Sequence, residues 1–321
     1  MKIRISQKKD KKKIIDFIKN RYFRKNHILT KKNGIFDFFF LKKNKLNFVI
    51  AESNNEILGI LGFIPNSHWS SKFDLNDLWI GWWQCEKRFN GLMLINFLLY
   101  KYKPKLLATY GVQNKILRDK LFSNEELKQY LMINKNYRFK NSKLKHVKIG
   151  LKNKFELHSL KRLTKNIHKN LFHSNPYKDL KFFKNKYEKN RFYDYFFIHF
   201  KTDNKINLIL ICRLIQNKKK KIRFIKILDV IGAIKKIEYS NLLRKFLNLN
   251  NLKYIDLQCL NLKEKTLIKF GFKKNKKEIY NFYEPYKKIH SPHVVSIIKN
   301  IYKKKLYFYA GDGDNERPRV L

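Results

Sequence analysis

The sequence predicts an α/β protein in which one order of elements runs twice. Three observations predict it. Short apolar runs with β-branched residues alternate with longer segments whose apolar residues recur at helical spacing. Two pairs of strand-like runs are separated by turn residues, Asn54-Asn55 in one case and Thr202-Asp203-Asn204-Lys205 in the other. Each hairpin then leads into strand, helix, strand, helix, strand. Mixed order of this kind places helices on the faces of a mixed sheet, here built two times over. The similarity lies in the order of elements, not in matching residues.

Residues 2–6 read as a short strand, and residues 10–21 carry Ile14, Ile15, Phe17 and Ile18 on a helix. Residues 47–52 and 56–65 form the first hairpin. Residues 77–84 read as a strand and residues 91–102 as an apolar helix that ends near Pro104. A strand over 105–112, a helix over 115–130 and a closing strand over 144–151 complete the first set. The second set begins with a helix over 155–172. The hairpin 193–201 with 207–216, a strand over 222–231 and a helix over 237–249 come next. A strand over 254–260, a short helix over 263–270 and a strand over 278–286 close it. The chain thus divides into a first domain, 1–151, a second, 152–290, and a helix with a Gly-Asp-Gly-Asp segment over 291–321.

Composition excludes several classes. The 321 residues are 44% hydrophobic and 15% aromatic, too apolar for a disordered chain. No apolar run reaches the length that spans a bilayer, and the first residues lack a secretory signal. Cys85, Cys212 and Cys259 are odd in number and far apart, with neither metal-ligand spacing nor a disulfide framework. No metal is expected, and the cytoplasm is the expected compartment.

The formal net charge of +48 points toward nucleic acid at first sight. The excess is mostly Lys, whereas Arg is the side chain that reads phosphates and base edges bidentately. Its runs are scattered along the chain, and Asn, Ile, Tyr and Phe are inflated too. The economical cause is an AT-rich genome, so nucleic acid is not expected as a partner. The charge is still expected to draw anionic cofactors, nucleotide-sugars and the anionic inner face of a membrane, less so in salt.

Against that background the final eleven residues stand out. They contain no Lys, and they carry Gly311, Asp312, Gly313, Asp314, Glu316, Arg317 and Arg319. A chain that drifts toward Lys and Asn elsewhere keeps other residues where their side chains have specific work. Alternating Gly and Asp make a tight turn that presents carboxylates.

The junction that carries chemistry lies between residues 77 and 102. A strand ends, a loop runs through Cys85, Glu86, Lys87, Arg88, Phe89 and Asn90, and a helix opens at Gly91-Leu92-Met93. A helix N-terminus offers backbone N–H groups and the positive end of a dipole, a ready site for a pyrophosphate. Gly91 is read as giving that anion close access to the backbone.

This junction resembles that of the GNAT superfamily of acyl-CoA-dependent N-acyltransferases, whose loop reads Gln/Arg-x-x-Gly-x-Gly/Ala. Here Arg88 and Gly91 match and Met93 takes the last place. The run 34–39, the hairpin through 47–65 and the terminal segment look like a tandem-GNAT family of surface-polysaccharide biosynthesis. That family ends in Gly-Asp-Gly-Asp-x-Asp-Arg-Pro, against Gly311 to Pro318 here with Asn315-Glu316 at the variable step. The resemblance implies two consecutive GNAT-like domains. It implies acyl-CoA, such as acetyl-CoA, as co-substrate and an amino sugar, often nucleotide-linked, as acceptor. Arg88, Phe89, Asn90, Gly91, Leu92, Met93 and Asn114 would then bind the donor.

Acylating an amine requires a base, a polarised thioester carbonyl and a proton for the leaving thiolate. Glu86 stands where such enzymes place a base, and Tyr110 stands near the opening that admits the thioester. Asp229 interrupts an apolar strand, which is costly unless it is paired or at an edge, and is the candidate in the second half. Asp312, Asp314 and Arg317 are candidates for acceptor binding. Most of the aromatic residues at 36–40 and of Trp79, Trp82 and Trp83 read as core. His68 and His290 have no zinc-type spacing. No glycine-rich loop precedes Ile237, so one donor site is expected, in the first domain. The alternatives are an aminoacyl-tRNA-dependent transferase of tandem fold, a nucleic-acid-binding protein, and a catalytically degenerate binding protein.

Overall fold

Two mixed sheets, each with helices packed on it, make up the computed structural model of the chain. The described residues are 1–21, 27–31, 34–72, 77–86, 89–110, 123–151, 154–164, 167–172, 178–234, 236–275, 279–280, 288–289, 294–302 and 306–312. The first half contains strands β1 (Lys2–Gln7), β2 (Leu41–Lys42), β3 (Lys45–Ser53), β4 (Glu56–Pro65), β5 (Asp77–Cys85), β6 (Leu106–Tyr110), β7 (Ser123–Glu126), β8 (Lys128–Ile133) and β9 (Lys148–Leu151). Its helices are α1 (Lys11–Arg21), α2 (Ile35–Phe40) and α3 (Leu92–Tyr102). The second half contains β10 (Phe155–Leu160), a short helix α4 (Leu180–Phe183) that runs into a π turn, β11 (Tyr195–Thr202), β12 (Lys205–Asn217), β13 (Ile222–Gly232), α5 (Glu238–Leu249), β14 (Tyr254–Leu260) and α6 (Glu264–Lys269). It ends with β15 (Lys273–Lys274), β16 (Ile279–Tyr280), β17 (Lys288–Ile289), β18 (Val294–Asn300) and β19 (Phe308–Tyr309).

Local chemistry sets the hairpins. Asn54 and Asn55 take φ of 50° and 63°, and Asp203 and Asn204 take 51° and 62°. Two successive left-handed residues form the turn whose twist matches the flanking strands, and Asn and Asp tolerate that region best.

The first sheet runs β1-β3-β4-β5-β6-β18-β7, with β2 on β3. The second runs β15-β8-β14-β13-β12-β11-β10-β9, with β19 on β14. Each sheet therefore borrows strands from across residue 151. The chain passes from β7 in the first sheet to β8 in the second, while β18 returns to lie between β6 and β7.

Three expected helices are corrected. Residues 155–160 pair with β11 over six residues, and their burial alternates with a period of two, as a strand requires. Residues 123–126 and 128–133 are strands because β18 and β14 offer them backbone partners. Residues 294–300 form a strand between β6 and β7 in place of the helix expected over 291–321.

Helix α3 packs on one face of the first sheet through Leu94, Ile95 and Leu98 against Leu61, Phe63, Leu78 and Ile80. Helix α5 packs on the second sheet through Tyr239, Leu242, Leu243 and Phe246 against Ile198, Leu210, Ile225 and Leu257. The remaining faces share one core. Ile14, Phe17, Phe36, Phe48 and Trp79 from the first half join Phe197, Ile209, Ile211, Leu228 and Ile231 from the second. Phe36, Phe39, Phe40 and Trp79, expected in the core, are each 2% exposed or less.

The exchanged strand β8 is also tied by polar contacts. Gln129 Nε2 donates to Asp256 Oδ1 at 2.8 Å, and Asn275 Nδ2 donates to Gln129 Oε1 at 2.8 Å. Burial raises the Asp256 carboxyl to about 6, although nearby Lys226 and the two glutamine amides favour its charged form. A folded value above the unfolded one means that the native state gains stability as pH falls through 6. Relative to Asp256→Asn, the wild type is expected to gain about 1.4 kcal/mol between pH 7 and pH 5, read from urea midpoints.

Candidate functional site

Strand β5 positions the site. It lies parallel to β6 from Asp77↔Leu106 to Ile80↔Thr109, and Thr109 Oγ1 donates to the Ile80 carbonyl at 3.2 Å. The register of β5 against β4 then shifts, since Phe63 faces Ile80 but Gly62 faces Trp82. Gly81 is the extra residue of this bulge, a device that bends a strand and re-aims the residues beyond it. Strand β5 continues to Cys85, and the loop to α3 begins there.

The described part of that loop is tightly held. Glu86 N donates to the Leu58 carbonyl at 2.8 Å, and Phe89 N to the Glu86 carbonyl at 3.0 Å. The Phe89 ring packs at Gly59, where an added Cβ would approach it to 2.9 Å. Asn90 Oδ1 accepts from Leu92 N at 3.1 Å, and Met93 N and Leu94 N donate to the carbonyls of Asn90 and Gly91. The carboxamide of Asn90 thus covers the first N–H of α3, a group that the sequence assigns to an anion.

Gly91 is needed for a different reason from the one expected. A Cβ there would lie 2.9 Å from both Cys85 Sγ and Trp83 Nε1, so the glycine lets the loop sit down on β5. Met93 is 39% exposed. Arg88 and Asn114 lie outside the described residues.

Glu86 lies at the rim of a cavity of about 490 Å³ between α1, the β3–β4 turn and the end of β5. Asp16, Asn20, Arg21, Asn55 and Glu56 also line it. Arg21 Nη2 donates to Glu86 Oε1 at 2.7 Å, and the Glu86 side chain is 12% exposed. The cavity therefore offers carboxylates, amides, a guanidinium and the ammonium of Lys13.

Tyr110 sits elsewhere. Its ring stacks on Trp79 with centroids 5.3 Å apart, and its hydroxyl donates to the Tyr309 carbonyl at 3.1 Å. The Cys85 thiol is pushed up to about 11 by burial, so it is not poised as a nucleophile. His68 is pushed down to about 4 by burial, and its Nε2 lies 2.8 Å from the Phe38 carbonyl, a structural arrangement. Among the described residues no group of three or more His, Cys, Asp or Glu is placed to hold a metal ion. No helix among them is long and apolar enough to cross a membrane.

Asp229 and Asp312 do meet, but away from solvent. Lys178 Nζ lies 2.9 Å from Asp229 Oδ2 and 2.6 Å from Asp312 Oδ1, and all three side chains are 1% exposed or less. Tyr187 Oη lies 3.1 Å from Asp229 Oδ2, and Lys186 Nζ donates to the Gly311 carbonyl. Neither carboxylate is open to an acceptor in this arrangement. Asp314 and Arg317 lie outside the described residues.

Sequence reasoning missed Lys178, Lys186 and Tyr187. The available signal was Asp229 itself, since a carboxylate inside an apolar strand requires a cation. It also missed Arg21, which only the fold brings to Glu86.

The comparisons with known proteins address the fold. No family model and no curated protein matches the chain. Among solved structures, the chain is similar to a GCN5-related N-acetyltransferase from Anabaena variabilis, with a TM-score of 0.58 at 9% identity, covering 93% of this chain and 73% of that one. A protein from Enterococcus faecalis described as a probable N-acyltransferase gives 0.56 at 10%, again covering 93% and 73%. A GCN5-related N-acetyltransferase from Kribbella flavida gives 0.53 at 7%, covering 92% and 72%. The fold is that of these N-acetyltransferases, and this chain builds it around two mixed sheets that exchange strands.

Proposed function

We propose that the protein is an acyl-CoA-dependent N-acyltransferase that uses its first domain as the donor site and acylates an amino sugar, nucleotide-linked, in surface-polysaccharide synthesis. The observation that carries this reading is the junction itself. A bulge at Gly81, directly after the Ile80↔Thr109 pair with β6, precedes a loop seated by Gly91 and the N-terminus of α3. The residues suit the donor. The Asn90 carboxamide oxygen stands at Leu92 N–H, where a phosphate oxygen is the natural replacement. Phe89 to Met93, with Arg88 and Asn114, are the donor-binding residues of this reading.

The chemistry is direct attack of the amine on the thioester carbonyl. Glu86 takes the ammonium proton, and Arg21 orients its carboxylate. The leaving thiolate takes its proton from solvent; Tyr110, whose hydroxyl donates to the Tyr309 carbonyl and whose ring stacks on Trp79, stands apart from the Glu86 cavity and is not given that role. The amides of Asn20 and Asn55 suit sugar hydroxyls, and the carboxylates Asp16 and Glu56 suit the amine. Localisation in the cytoplasm, with contact to an anionic membrane face, goes with this reading and with the charge.

Glu86→Gln tests it. With acetyl-CoA and a panel of nucleotide-linked amino sugars, kcat is expected to fall by about a hundredfold or more while KM for acetyl-CoA is unchanged. Unchanged kcat would leave Glu86 as a partner of Arg21 and nothing more.

A further inference from the structure

We propose that residues 308–312 are a built-in ligand of the second sheet, filling the gap between β13 and β14, so that this sheet takes no acyl donor and the chain carries a single acyl-donor site. The count of donor sites rests on the proposed function; the seating of the segment does not.

The two sheets share a local design. In the first, β5 pairs with β6 through Ile80↔Thr109 and bulges at Gly81. In the second, β13 leaves β14 after Ile227↔Leu257. Its bulge falls at Leu228, because Cys212 faces Ile227 and Ile211 faces Asp229. The gap in the second sheet therefore opens one residue before its bulge, at the place that corresponds to Ile80 and Gly81 in the first.

This gap holds the chain's own backbone. Phe308 and Tyr309 pair with Leu260 and Cys259 on β14. Ala310 N then donates to the Gln258 carbonyl of β14 at 3.2 Å, and Gly311 N donates across to the Leu228 carbonyl of β13 at 2.7 Å. Successive residues thus bridge the two parted strands at the bulge itself. An acyl-CoA arm, an extended chain with amides of its own, has no room beside this segment.

Side chains fix it in place. A Cβ on residue 311 would lie 2.5 Å from Tyr187 Oη and 2.7 Å from the Leu228 carbonyl oxygen, so only glycine fits. Asp312 Oδ2 accepts from Tyr309 N at 2.7 Å, and its other oxygen meets Lys178. The buried charges balance: Lys178 pairs with Asp229 and Asp312, and Lys186, bonded to the Gly311 carbonyl, lies near enough to favour the charged form of Asp229. A Lys at position 312 would put three cations against one carboxylate. That accounts for a Gly-Asp pair in a chain that is otherwise rich in Lys and Asn.

The test is hydrogen exchange of residues 306–312 in the full-length protein, together with equilibrium dialysis against acetyl-CoA. In the wild type, the amides of Ala310 and Gly311 are expected to exchange at least about a thousandfold more slowly than unfolded chain, unaffected by saturating acetyl-CoA. No more than one acetyl-CoA is expected per chain. Gly311→Val is expected to speed exchange in this segment by about a hundredfold or more, and Asp312→Asn by less. Gly150→Ala, where the nearest atom to the new Cβ is 3.9 Å away, serves as the silent control. If Gly311→Val does not fold, Asp312→Asn and the wild-type measurements decide. Exchange at unfolded rates, acceleration by acetyl-CoA, or two acetyl-CoA per chain would overturn the proposal. A protected segment in a chain that binds no acetyl-CoA would overturn the proposed function and leave the seating intact.

Discussion

Lys178→Met is expected to destabilise the protein by about 3–5 kcal/mol, among the largest losses from any single side chain. The reason is the pair of charges it leaves behind. Asp229 and Asp312, both fully buried, would lose the ammonium they share. Breaking a buried ion pair from one side strands the other charge in a medium that solvates it poorly. Adding Asp229→Asn to Lys178→Met is expected to recover part of the loss, so the two changes are not additive. Urea unfolding of the single and double variants reads both effects, and a single variant within about 0.5 kcal/mol of wild type would contradict the arrangement. The same contacts set the pH dependence. Burial alone lowers the Lys178 ammonium, but Asp229 and Asp312 outweigh it and raise it above its ordinary 10.5. Its contribution is therefore full at neutral pH and is lost only as pH rises through that raised value.

Gly91→Val is expected to lower kcat/KM for acyl transfer by about a hundredfold or more, since displacements near 1 Å at a site carry costs of that order. Its new Cβ meets Cys85 Sγ and Trp83 Nε1 at 2.9 Å, so the loop has to lift from β5. The start of α3 moves with it, because Met93 N and Leu94 N are bonded to Asn90 and Gly91. Steady-state kinetics with acetyl-CoA, beside a melting curve showing that the fold survives, separate a site effect from unfolding. Wild-type kinetics in this variant would remove the loop from the reaction.

Much of the fold was legible because it is local. The Asn54-Asn55 and Asp203-Asn204 turns announce their hairpins by residue type, and α1, α3 and α5 announce themselves by apolar spacing. The strand exchange was not legible. Whether residues 128–133 pair with β14 is decided by backbone partners more than a hundred positions away, and no side-chain pattern records that choice. Residues 155–160 show the same limit. Leu157, Leu160 and Leu163 fit a helical stripe as well as Phe155, Leu157 and Ser159 fit a strand.

The site divides in the same way. The loop from Glu86 to Gly91 was legible from a strand, a glycine and a helix in succession. The work of Gly91 was not, because the atoms it avoids belong to Cys85 and Trp83, and nothing in the sequence shows which way its missing Cβ points. The anomaly at Gly311-Asp312 was visible as composition. Its meaning needed Lys178, one lysine among very many, which only the fold singles out.

The most direct test of the central claim is the melting temperature of the purified protein with and without acetyl-CoA, at low and high salt, with polyphosphate as the anionic control. A ligand at a hundred times its Kd stabilises the folded state by about 2.7 kcal/mol. The account predicts a rise with acetyl-CoA that persists at high salt, exceeds that with polyphosphate, and disappears in Gly91→Val. No rise, or one that polyphosphate matches and salt abolishes, would contradict a donor site in the first domain.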